Sequence, residues 1–244
     1  MKTLAILQAR TNSKRLPGKV LSEVNGVNIL TYCIKRIKRS LHIDQLVVAT
    51  TNKPQDDEIV KISNDNGIKS FRGNEQDVLE RFYLTEKKFN GDVVIRLNSD
   101  NPLIDPKIID SLIQKFCDDF KYDYATNILS ETYPLGMHVE VFTKKILKWI
   151  HYNVKNKEMR EHVTPFIYLN ENKFKILSIE NISNHSKYRL TIDYPEDLEV
   201  FKLIMHHAKK KWIDIECRDI INILDNNPYI GEINSKFLRK QALK

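Results

Sequence analysis

A chain of 244 residues, 41% hydrophobic and 29% charged, is long enough to bury a sizeable core and is globular rather than disordered in composition. Its net charge of +7 favours anionic partners, but the lysines are spread along the whole chain, so the charge does not by itself point to nucleic acid. Cys33, Cys117 and Cys217 lie far apart without ligand spacing, which argues against structural zinc and a disulfide framework.

In chain order, Thr3–Gln8 reads as a buried first strand; as a leader this opening segment is too short. Residues 29–40 place Ile29, Leu30, Cys33, Ile34 and Ile37 on one helical face. Residues 46–50 read as a second strand and 57–66 as a helix stopped by Gly67. A helix over 76–89 precedes the most strand-like run, 92–98. Pro106 opens a helix to about Asp118.

The second half is less regular. Residues 138–142, 174–182 and 189–193 read as strands, 143–154 as a helix, and Pro195 opens a helix to about Lys210. Strands alternating with helices imply an α/β fold with a mainly parallel sheet flanked by helices. The expectation is one compact domain over 1–244 with an inserted lobe between about Tyr122 and Asn184. No apolar stretch reaches the ~20 residues of a membrane span, so the expected protein is soluble, cytoplasmic and not membrane-inserted.

In open parallel sheets ligands bind outside the carboxyl ends of the strands. After the first strand comes Gln8-Ala9-Arg10-Thr11-Asn12-Ser13-Lys14-Arg15-Leu16-Pro17-Gly18-Lys19. Its arginine forks and lysine charges suit a polyphosphate, although the glycine spacing of a P-loop is absent. A solvated turn is the bland alternative. The second segment, Arg96-Leu97-Asn98-Ser99-Asp100-Asn101-Pro102-Leu103, ends a strand on Asp100, the first metal candidate or else a turn aspartate. In the third, Leu190-Thr191-Ile192-Asp193-Tyr194-Pro195, Asp193 is a second oxygen ligand for magnesium or a helix cap.

Together these segments resemble the cytidylyltransferases that make CMP-activated acidic sugars. The nearest branch is the spore-coat polysaccharide biosynthesis protein F family, related to the CMP-ketodeoxyoctonate and CMP-sialic acid synthetases. Arg72-Gly73, Asp77 to Arg81, Gly136 to Phe142, Glu161-His162-Val163-Thr164-Pro165 and Asp193 to Leu198 extend the resemblance along most of the chain.

The resemblance implies a GT-A-like, Rossmann-type nucleotide-binding fold, a homodimer, and transfer of CMP from CTP to a small anionic acceptor. It implies a triphosphate held by Arg10, Arg15 and Lys19, with Mg2+ on Asp100 and Asp193. The implied nucleotide site also takes in Leu7, Ala9, Ser13, Arg72, Asp77 and Asn98. Arg72, Asp77, Arg81 and Arg96 are open to base, ribose or acceptor, and Arg96 has a buried ion pair as its alternative. His138, Glu161 and His162 are acceptor-side candidates, with a solvent-facing histidine and a helix end as the bland readings. Pro134, Gly136 and Met137 suggest a loop over the acceptor. Gln8 and Ser99 depart from the family, which carries proline and glycine there in the sugar-acid synthetases.

Two other classes compete. A glycosyltransferase would carry paired acids after the central strand, where Ser99-Asp100-Asn101 has one. A nucleic-acid-binding module would interleave aromatics with basic residues, whereas the aromatics here sit in apolar-periodic segments.

Overall fold

Segments that are apolar on both faces become central strands, since only a sheet covered on both sides buries them. The computed structural model describes residues 1–119 and 121–237. Its strands are β1 (Thr3–Gln8), β2 (Glu23–Val24), β3 (Val27–Asn28), β4 (Gln45–Thr51), β5 (Lys69–Gly73), β6 (Val93–Asn98), β7 (Tyr124–Thr126), β8 (Glu140–Thr143) and β9 (Ile176–Ser178). Its helices are α1 (Ile29–Ile37), α2 (Asp57–Asp65), α3 (Val78–Phe89), α4 (Pro106–Asp119), α5 (Lys144–Asn153), α6 (Lys157–His162), α7 (Pro165–Tyr168), α8 (Pro195–His207), α9 (Cys217–Asn226) and α10 (Pro228–Glu232).

Seven strands form one sheet in the order β5-β4-β1-β6-β8-β7-β9, and β2 pairs with β3 in a separate hairpin. All strands of the large sheet run one way except β8, which is antiparallel to β6 and β7. The fold is therefore mixed α/β with a mainly parallel sheet. The chain leaves β1 for β4 on one side and later crosses to β6 on the other. This topological switch opens a crevice between the ends of β1 and β6, where Gln8 and Asn98 are register partners.

Helices α1, α2 and α4 cover one face through Leu30, Ile34, Ile59 and Ile109; α3, α5 and α7 cover the other through Leu79, Phe82, Leu147 and Ile167. A third cluster joins α8, α9 and α10 to the extended segment around Leu190 and Ile192. Residues between 122 and 184 supply β7–β9 to the sheet and α5–α7 to its face.

Several boundaries differ from expectation. Residues 189–193 form no strand: Leu190 donates to Leu135 O at 2.6 Å and Ile192 to Asp100 O at 2.8 Å, so the segment bridges two loops instead of joining a ladder. The 174–182 strand shrinks to Ile176–Ser178. The strand expected at 138–142 begins at Glu140, α1 ends at Ile37, and α8 stops at His207. The loop at Pro134, Gly136 and Met137 is packed into the protein. These residues are buried, and Gly136 (φ +109°) brings its backbone so close to Leu190 and Thr191 that a Cβ would lie 2.8 Å from them.

Candidate active site

The basic loop after β1 is shaped from beneath by an aspartate that carried no signal in the sequence. Asp56, fully buried, accepts from the Thr11 amide at 2.8 Å, from Thr11 Oγ1 at 2.7 Å, and from Thr51 Oγ1. The Thr11 carbonyl in turn accepts from the Ser13 and Gly18 amides, both at 2.9 Å, closing the loop. Gly18 adopts φ +72°, a conformation that favours glycine. The turn delivers Lys19 into the protein, where it is 8% exposed.

There Lys19 Nζ lies 2.7 Å from Asp100 Oδ2, 2.9 Å from Asp193 Oδ1 and 2.8 Å from the carbonyl of Ile192. Burial lowers the lysine pKa, but the Asp100 and Asp193 carboxylates outweigh it and hold the value above the ordinary lysine range. Burial likewise pushes the Asp193 carboxyl up, and Lys19, Arg15 and Arg189 overcome it, leaving its pKa depressed. Arg15 reaches Asp193 Oδ1 at 2.5 Å, and Arg189 holds Oδ2 at 2.9 Å. Thus the loop, the end of β6 and the 189–193 segment meet at one point. Asp193 is no helix cap: Tyr194 occupies that position in α8.

The three oxygens around Nζ are hard donors of the kind a divalent cation takes. Among the described residues no group of three or more His, Cys, Asp or Glu side chains could hold a metal. A magnesium ion on Asp100 and Asp193 would therefore complete its shell with phosphate oxygens and water, the usual mode for this ion.

Arg10, on the same loop, has its NH2 3.5 Å from Glu161 Oε1. Both line a cleft of about 610 Å³ with Asn12, Lys14, Asp77 and Arg160. Asp77 caps α3 by accepting from the Glu80 amide at 2.9 Å, and its other oxygen accepts from Arg160 Nε at 2.8 Å. Leu7 is fully buried within β1 between β4 and β6, Ala9 is buried with its amide donating to the Ala49 carbonyl at 3.1 Å, and the Ser13 hydroxyl accepts from the Leu16 amide at 3.4 Å.

Other residues are placed differently. Arg72 is spent on the Thr51 and Lys53 carbonyls and on Asp57, and it lines a neighbouring hollow, apart from the cleft of Arg10. Arg81 is 2% exposed, and burial, aided by Arg10, lowers its pKa to about 10. Arg96 forms the buried ion pair that was its alternative: it donates to Glu140, which also accepts from Tyr124 Oη at 2.7 Å and from Thr164. Among the described residues, its Nε, with Gln8 Oε1 and Asn98 Oδ1, is buried without a hydrogen-bond partner. His138 is half-buried ahead of β8. Glu161 and His162 are exposed at the end of α6, with only Glu161 on the cleft. Behind that end, buried Val163 takes φ +72°, strained for a β-branched residue.

The family model described as cytidylyltransferase matches residues 4–219. The spore coat polysaccharide biosynthesis protein SpsF of Bacillus subtilis is 34% identical over 233 residues, 92% of this chain and 95% of its own length. A solved cytidylyltransferase from Leptospira borgpetersenii superposes with a TM-score of 0.91 at 34% identity, covering 95% of this chain and 97% of that one. CMP:2-keto-3-deoxy-manno-octonic acid synthetase complexed with CTP shares the fold, with a TM-score of 0.68 at 19% identity over 84% of this chain and 99% of its own. Sequence and fold agree from the basic loop to the start of α9, and the chain belongs to the cytidylyltransferase family.

Proposed function

We propose that the protein transfers CMP from CTP to an anionic, sugar-like acceptor, releasing pyrophosphate, in a pathway of cell-surface polysaccharide synthesis. The observation that carries this reading is the meeting of Lys19, Asp100 and Asp193 at the topological switch, beside a loop bearing Arg10 and Arg15. The name of the Bacillus subtilis relative supports the polysaccharide role, and the CTP complex of the structural neighbour supports the nucleotide.

Nucleotidyl transfer asks for charge neutralisation and positioning more than for covalent help. Bound to Asp100 and Asp193, Mg2+ would polarise the α-phosphate of CTP. Lys19 now neutralises the two carboxylates; on nucleotide binding its ammonium would turn to the triphosphate, alongside Arg15 and Arg10. These three cations would stabilise the charge that gathers on the departing pyrophosphate. The acceptor would lie over Gln8, Arg96 and Asn98, where unpartnered polar atoms call for hydrogen bonds. Glu140 would hold Arg96 in place. On the cleft side, Asp77 would face the nucleoside.

We place this activity in the cytoplasm, where nucleoside triphosphates are available. Among the described residues no helix is long and apolar enough to cross a membrane. A homodimer would cover the exposed aromatics Trp149 and Tyr152 of α5. Calorimetric titration with CTP, UTP, ATP and GTP in the presence of Mg2+ tests the nucleotide. Binding confined to CTP supports the reading, and preference for a UDP-sugar over all four triphosphates would replace it with sugar transfer.

A further inference from the structure

The C-terminal residues Asn234 to Phe237 lie against the candidate site at three points. Asn234, 1% exposed, donates both amide hydrogens, to Asp197 Oδ1 at 2.8 Å and to the Arg189 carbonyl at 3.0 Å. Phe237 stacks on Tyr194 with ring centres 3.9 Å and planes 5° apart. Lys236 Nζ is 2.8 Å from Glu196. The partners Tyr194, Glu196 and Asp197 all belong to the turn that carries Asp193 into α8.

Asp197 is the hub of this turn. It accepts from Arg189 Nε at 2.8 Å and NH2 at 3.1 Å, and from the backbone amides of Asp193 at 2.8 Å and Tyr194 at 3.0 Å. Arg189 NH2 also holds Asp193 Oδ2, which leaves Oδ1 turned to Lys19 and Arg15. A carboxylate left to itself rotates broadly about its last torsion, and a fixed donor on one oxygen removes that freedom. The ring of Tyr194 is approached by the guanidinium carbons of Arg15 at 5.3 Å and Arg189 at 5.5 Å. Every link from Asn234 to Asp193 is buried, so each costs stability if left unpaired and is held in one arrangement when complete.

We propose that Asn234 and Phe237 are positioning residues of the reaction centre, acting through Asp197, Arg189 and Tyr194 to fix Asp193 Oδ1 and Arg15 for metal-bound CTP. The inference rests on the reading that Asp193 binds the metal of a CTP complex. Its consequence is that residues outside the crevice set the Mg2+ requirement of nucleotide binding.

The test is calorimetric titration with CTP across a series of Mg2+ concentrations, for the wild type, Asn234→Ala, Phe237→Ala and Arg189→Lys. Ile230→Val, a cavity-forming change in the same C-terminal region, controls for lost stability. Each of the three site variants is expected to need about tenfold more Mg2+ for half of the full tightening, the range typical of lost outer-shell support. CTP affinity without Mg2+ should fall by less than the affinity at saturating Mg2+, and Ile230→Val should leave the Mg2+ requirement unchanged. Should Asn234→Ala not fold, Phe237→Ala carries the test alone. A wild type that tightens with Mg2+ while Asn234→Ala and Phe237→Ala respond identically overturns the proposal and leaves the functional reading standing. An equal shift in Ile230→Val also overturns it. A wild type indifferent to Mg2+ overturns the reading, and this inference with it.

Discussion

Lys19 and Asp193 stand 174 positions apart in the chain, yet Nζ and Oδ1 lie 2.9 Å from one another at the mouth of the crevice. The contact places a cation supplied by the protein at the point where two carboxylates would otherwise repel each other. It gives Lys19 two tasks in the proposed cycle, neutralising the carboxylates before nucleotide arrives and the triphosphate afterwards. Replacing Lys19 with Met keeps the stem and removes the charge. Turnover should fall about 10²-fold or more, by analogy with losing one preorganised donor. The free protein should meanwhile bind Mg2+ more tightly, because two carboxylates would then await a cation. Calorimetry with Mg2+ alone reads the second effect, which no general loss of structure would produce.

Asp100 accepts only from Lys19 through its side chain among the described contacts and is partly open to solvent. Asp100→Asn should therefore leave the melting temperature within a few degrees of the wild type while lowering kcat by about 10²–10³-fold. A variant turning over at near-normal rate would remove Asp100 from the chemistry.

The Arg96–Glu140 pair sits between β6 and β8 with side chains 10% and 3% exposed. Removing one partner of such a pair typically costs about 3–5 kcal/mol, because the other charge stays buried. Glu140→Gln should show a loss of that order in urea unfolding. The double variant Arg96→Met/Glu140→Gln should recover part of it, and additive losses would mean that the two side chains are energetically independent.

Asp56 anchors the basic loop without reaching the crevice. Asp56→Ala would leave the Thr11 amide and the Thr51 hydroxyl without their acceptor. The expected result is a stability loss of about 2–4 kcal/mol with a KM for CTP raised more than kcat is lowered. Steady-state kinetics at a temperature where the variant is fully folded check this.

The depressed pKa of Asp193 sets the sign of an acid response. Its stabilisation is present above the ordinary aspartate value of 3.8 and is lost as pH falls through the lower folded value. For Lys19 the folded value is raised, so its contribution is full below 10.5 and is lost only as pH rises beyond it. Stability should thus be flat with respect to this pair from about pH 5 to 10. Asp193→Asn should flatten the acid limb below pH 4. Unfolding midpoints across that range measure it, and an unchanged acid limb would contradict the account.

Much of the fold was legible because its signals are local. The apolar runs of β1, β4 and β6 and the spacing in α1 name their elements directly. The misreading at 189–193 has a physical source. Leu190 and Ile192 are buried as strand residues would be, but their hydrogen bonds go to Leu135 and Asp100 in loops. Arg36 lies in α1 and carries no mark of burial in its local sequence. It is fully buried, donating to the carbonyls of Leu103, Ile104, Trp212 and Ile215.

The site divides the same way. Lys19, Asp100 and Asp193 could be picked out one at a time, and the family resemblance put the two aspartates on one ion, while the direct contact of Lys19 with both carboxylates could not be read. Glu140 and Asn234 act through partners distant in sequence, and Asp56 and Asp197 join near partners to distant ones, so their roles do not show in the chain alone. The contacts of Arg72 are hidden in the chain for a related reason: its carbonyl partners at Thr51 and Lys53 come within reach only when β4 and β5 pair.

The most direct measurement is pyrophosphate release, with Mg2+, from CTP, UTP, ATP and GTP against a panel of acidic sugars, polyol phosphates and phosphonates. The account predicts release with CTP and an anionic acceptor, abolished in Asp100→Asn. Release from another triphosphate in preference to CTP, or release that survives loss of Asp100, would contradict it.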